Sequence, residues 1–97
     1  MSYPDPKTVL HPMGDISNLK VIRDGGENNW SLASMKWVGS DVIGMRWNGG
    51  MNNGSPSIGT PQSRGTPLWF VLPDEVKDSI IEVAKKLNEE DKNKKKG

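Results

Sequence analysis

Only one stretch of this 97-residue chain carries the apolar period of an α-helix, and it lies toward the C-terminal end. Val76, Ile80, Val83, Ala84 and Leu87 recur at spacings of three and four, which places them on one stripe of a helix. Pro73 suits a first helical position, and Asp74 and Glu75 then meet the positive end of the helix dipole. The rest of the fold must therefore be built from strands and turns. Residues 19–24 end at Gly25-Gly26 and read as a strand before a turn. Residues 30–38 and 42–48 read as two strands joined across Gly39-Ser40-Asp41, a hairpin. Residues 67–72 read as a fourth strand, whose leading proline is tolerated at a strand start. The expected fold is α+β, a curved four-stranded antiparallel sheet followed by one C-terminal amphipathic helix.

Length and composition bound the rest. A chain this short is one domain and buries only about 60–65% of its unfolded surface. With 33% hydrophobic residues and a mean hydropathy of −0.66 it is short of core, so a homodimer is expected. Residues 1–17, with Pro4, Pro6 and Pro12, read as a flexible N-terminal arm, and residues 18–90 as the single sheet-plus-helix domain. Residues 49–66 are a long loop of Gly, Asn, Ser, Pro and Thr, and loops of that length tend to be functional or mobile. Residues 91–97 read as a Lys-rich disordered tail. The chain has no cysteine, no long apolar run and no signal-like start, so a cytoplasmic protein with no membrane span is expected.

Little here suggests catalysis. The one histidine, His11, sits in the Pro-rich arm, and most carboxylates share the helix with lysines as a solvated charged face. No spacing fits a metal site, a phosphate loop or a dinucleotide fingerprint, so neither enzyme activity nor a metal or cofactor is expected.

The aromatic and basic residues carry more information. Trp30, Trp37, Trp47 and Trp69 all fall in strand segments. Strand alternation puts Ile43, Met45 and Trp47 on one face and Val42, Gly44 and Arg46 on the other. One small core beneath one helix cannot cover every ring, so some aromatic surface should stay open near Lys36, Arg46 and the loop arginine Arg64. Rings beside cations suit single-stranded nucleic acid, because bases stack on the rings and Arg or Lys meets the phosphates. The plainer alternatives are tryptophans in a core or dimer contact, Arg46 resting on a neighbouring ring, and Lys36 as a solvated strand residue. Residues 61–67, Pro-Gln-Ser-Arg-Gly-Thr-Pro, read equally as a phosphate-contacting loop or as a turn that fixes how the fourth strand joins the sheet.

The hairpin from Ser31 to Asn48, with its Gly44-Met45-Arg46-Trp47 step, resembles the central hairpin of the positive-cofactor-four-like single-stranded-DNA-binding (transcriptional coactivator) family. Arg64-Gly65 through Leu72-Pro73-Asp74-Glu75 is similar in order to that family's polar loop, short apolar strand and acidic helix start. The resemblance covers about residues 19–88. It implies a sheet packed by a C-terminal helix, dimerisation through helices and adjoining strands, and DNA bound across the strands with little sequence preference. Carried over by position, the contact residues are Lys36, Arg46, Trp47 and Arg64, with Trp30 and Trp37 behind them. The sequence reading is thus a non-enzymatic homodimer that binds single-stranded nucleic acid, DNA or RNA. Its rival is a module that docks a protein partner through exposed tryptophans and the long loop.

Overall fold

The computed structural model describes residues 4–11, 14–52 and 54–95. Three long strands, β1 (Ile16–Asp24), β2 (Trp30–Trp37) and β3 (Ser40–Trp47), form an antiparallel meander. Two short pairs follow, β4 (Gly50–Asn52) with β5 (Ser55–Ser57) and β6 (Gln62–Ser63) with β7 (Thr66–Pro67). The two-residue β8 (Phe70–Val71) then adds to β3, giving the order β1-β2-β3-β8, and α1 (Asp74–Lys95) closes the chain. The α+β class, the four-stranded antiparallel sheet and the single C-terminal helix agree with the sequence reading.

Register sorts the side chains. Ala33 pairs with Gly44 and Met35 with Val42, while Leu32 pairs with Met45, Ser34 with Ile43 and Trp30 with Trp47. Ala33, Met35, Val42, Gly44 and Arg46 therefore share one face, and Trp30, Leu32, Ser34, Ile43, Met45 and Trp47 share the other. The hairpin turns earlier than the sequence suggested, at Val38-Gly39, both at positive φ (50 and 81). That is the geometry of a two-residue hairpin turn, and it frees Ser40 and Asp41 to join β3.

The first face is covered by the N-terminal segment, expected from the sequence to be a flexible arm. Pro6–Thr8 form a 3₁₀ turn capped by Asp5, and Pro6 and Val9 are fully buried. Val9, Ile16, Ala33, Met35 and Trp69 make one apolar cluster, with Leu10, Leu19, Trp37 and Val42 packed around it. The Trp69 indole N–H donates to the Val9 carbonyl at 2.8 Å, so the largest buried ring is satisfied by the arm itself. Gly44 leaves room beneath it, since a Cβ there would come within 2.7 Å of Met35 Cε and 3.0 Å of Trp69 Cβ and would make the methionine tip shift. Residues 1–3, 12 and 13 of the expected arm lie outside the described residues.

The second face carries α1, whose 22 residues span about 33 Å. A sheet four strands wide and eight residues tall has a diagonal of roughly 30 Å, and the contacts follow that diagonal. Lys77, in the first turns, shares a cavity with Ser34, Lys36 and Ile43. Asn88 and Asp91, in the last turns, bond Arg23 at the far end of β1. Leu32 and Ala84 are fully buried. The segment expected to be a disordered tail is helical through Lys95, because Asp91 is anchored on the sheet and lysines suit the negative end of the dipole. Residues 96 and 97 lie outside the described residues. Among the described residues, no helix is long and apolar enough to cross a membrane.

Candidate functional site

A helix laid along the diagonal leaves two open corners on its face of the sheet. One is aromatic. Trp30 and Trp47 sit opposite each other in the β2–β3 register, and Met45 and Phe70 pair across β3–β8 on the same face. With Thr60 and Pro61 they line a groove of about 360 Å³. Trp47 is 55% exposed and Phe70 57% exposed, while Trp30 is half-buried. The Trp47 backbone is held on both sides of its own residue: its N–H donates to the Thr60 carbonyl at 2.7 Å, and the Thr60 N–H returns to the Trp47 carbonyl at 3.2 Å. The exposed ring thus stands on a fixed backbone.

Arg46 builds the wall behind that groove and does not project into solvent. It is 2% exposed. Its Nη1 donates to the Leu68 carbonyl at 2.6 Å and to the Pro61 carbonyl at 3.4 Å, and its Nη2 donates to the Ile58 carbonyl. One guanidinium therefore gathers three carbonyls of the 58–68 segment, the work its planar fork of donors is suited to. Burial pushes its pKa down to about 10, which still leaves it charged at neutral pH. This corrects the expectation that Arg46 reaches a phosphate or rests on a ring. Gly59 allows the close approach, because its φ is +84 and a Cβ would strike the Trp47 carbonyl and Arg46 Nη2.

The long loop is correspondingly more ordered than its composition suggested. Asn48 is fully buried, and its Nδ2 donates to Asp24 Oδ1 at 3.1 Å and to the Gly26 carbonyl at 2.8 Å. Ser31 Oγ donates to Asn48 Oδ1 at 2.7 Å. This network fastens the start of the loop to the β1–β2 turn. Residues 61–67 form the β6–β7 hairpin, turned at Arg64-Gly65 with φ of 51 and 82. Arg64 is exposed at its tip, and the segment does turn the chain toward β8.

The other, the polar corner, sets charged and polar side chains beside apolar ones. Asn18, Ser34, Lys36, Asp41 and Lys77, together with Met35, Val42 and Ile43, line a cavity of about 220 Å³. Lys36 pairs loosely with Asp41 at 3.8 Å and Lys77 with Asp74 at 3.4 Å, both exposed pairs of little energetic weight.

The sequence candidates are thus divided. Trp30 and Trp47 come together on one groove. Lys36 lies at the opposite end of the same face. Trp37 packs, half-buried, against the arm-side cluster and away from the groove. Arg64 sits on the hairpin that follows Pro61, and Arg46 is internal. Sequence reasoning missed Met45, Thr60, Pro61 and Phe70 as groove residues. The alternation of Met45 with Trp47, and of Phe70 with Trp69, could have identified two of them. Among the described residues, no group of three or more His, Asp or Glu is placed to hold a metal ion. No family model, curated protein or solved structure matches this chain.

Proposed function

We propose that this protein is a non-enzymatic interaction module that docks protein through the aromatic corner, and that the occupant is a second copy of the chain. The observation that carries this reading is the chemistry of the groove. Two exposed rings, a half-buried indole and a methionine surround it, and the cations beside it are buried and bonded: Arg46 is turned inward onto carbonyls, and Arg23, next to Trp30, donates to Asn88 and Asp91. Tryptophan, phenylalanine and methionine without free charge are the makings of an interface centre. The helix offers a second apolar feature, since Val76 and Val83, seven residues apart, remain exposed. A twofold pair can cover both patches at once, since each copy offers the same groove and the same helix valines. The two bulges in β1 support a curved sheet that would help wrap such a contact.

A second reading has its own observation. The Trp47 indole is a flat, exposed and fixed ring on an antiparallel sheet that ends in a helix, which suits stacking of unpaired DNA or RNA bases. Among the described residues, no matching set of free cations stands at the rings: Arg46 is internal and Lys36 is at the other corner. Arg64 is then the residue left to meet phosphate.

Sedimentation equilibrium of the full chain, beside fluorescence titration with a dT oligonucleotide at low and moderate salt, separates the two. Dimers at micromolar concentration that Trp47→Ala converts to monomers, with no quenching by dT, fit the docking module. A chain that stays monomeric and is quenched by dT less strongly as salt rises overturns it in favour of nucleic acid.

A further inference from the structure

Arg23 joins the far end of the helix to the wall of the aromatic groove. It is 6% exposed, and its guanidinium carbon lies 5.7 Å from the centre of the Trp30 ring. On its other side Nη1 donates to Asn88 Oδ1 and to Asp91 Oδ2, both at 2.9 Å. Asn88 reaches back, its Nδ2 donating to the Ile22 carbonyl at 2.9 Å. Both side-chain bonds use one nitrogen, and the buried Nε has no partner. The ring and the helix end therefore share the task of fixing this guanidinium.

The backbone is arranged for this. Val21 pairs with Ala33, yet Arg23 pairs with Leu32, so one extra residue is inserted in β1 at this point. Strict alternation from Val21 would have sent Arg23 to the arm side with Ala33. The bulge turns it to the helix side, where Trp30 and α1 both meet it. Re-aiming a side chain is a recurrent use of a bulge beside a working site.

We propose that Arg23 is a positioning residue: the last turns of α1, acting through Asn88 and Asp91 on Arg23, set the Trp30 ring and with it the groove's affinity for its occupant. This rests on the docking reading above. Trp30 is the half-buried ring of the groove, so its orientation shapes the groove's lining. A cation held near an aromatic ring is attracted by the ring quadrupole, so Arg23 steadies the indole. Asp91 is 51% exposed, so the latch can be altered from the surface without opening the core.

The experiment uses the full chain labelled with 5-fluorotryptophan, the four ¹⁹F resonances being assigned by single Trp→Phe variants. In Asp91→Asn the Trp30 resonance should move while those of Trp37 and Trp69 stay in place. Self-association should weaken about fivefold to tenfold, the usual size of coupling between touching groups. Asp91→Glu should restore both. A merely structural ion pair would lower thermal stability and leave the Trp30 resonance where it was. An unmoved Trp30 resonance and unchanged association in Asp91→Asn, with Trp47→Ala still disrupting association, overturns the latch and leaves the docking reading intact. If Trp47→Ala leaves association unchanged, the docking reading falls, and the Trp30 resonance alone decides whether the latch sets the ring.

Discussion

The two open corners beside α1 differ in what leaving them open costs. At the polar corner, Lys36, Lys77, Ser34 and Asn18 can be hydrated, and the loose lysine pairs gain little from being covered. At the aromatic corner, Trp47 and Phe70 hold exposed rings that water serves poorly, with burial worth about 25 cal/mol for each Å² covered. The same helix creates both openings, so exposure alone does not mark a working surface. The sign and size of the free energy released on covering it does, and on that measure the corners are far apart.

The contrast can be broken at its support, at its centre, at its margin and at its control. The largest effect is expected at the support. Arg46→Met takes a charged donor from three part-buried carbonyls, of which that of Pro61 keeps the Leu68 N–H as a second donor, and should cost about 3 kcal/mol of stability, read by urea unfolding. It should also loosen the Thr60–Pro61 wall of the groove. At the centre, Trp47→Ala should weaken self-association by about 2 kcal/mol, roughly thirtyfold, with the stability of the monomer itself little changed because the ring is more than half exposed there. At the margin, Val83→Glu should weaken association less, by about 1 kcal/mol, again with the monomer fold intact. The control is Lys36→Ala combined with Lys77→Ala, which should change both stability and association by less than about 0.5 kcal/mol. A large loss of dT binding in that double variant would reverse the comparison and make the polar corner the working one.

Much of the fold was legible because it follows from period. The helix, the strands around Leu32 and Met45, and the split between Trp47 and Arg46 across β3 all rest on repeats of 3.6 or 2, although within the helix stripe Ala84 is buried while Val76 and Val83 stay exposed. What escaped has no period to read. Pro6 and Val9 lie in a proline-rich stretch whose value comes from landing on Trp69, sixty residues away in the chain. β4 to β7 are two or three residues long, too short for alternation to show. Arg46 shows the limit most clearly. Alternation placed it on the correct side of the sheet, but that the 58–68 segment would fold over it and take its donors is a tertiary fact. The bulge in β1 likewise moves Arg23 to the opposite face from the one a strict count gives.

The reciprocal bonds between Trp47 and Thr60 reach beyond holding a loop in place. Ordering one backbone residue costs on the order of 1–2 kcal/mol, and here that ordering is completed during folding. Whatever meets the indole finds a ring whose main chain has no freedom left to lose. Contact at this position should therefore be preorganised, with tight binding reflected in slow release more than in fast capture.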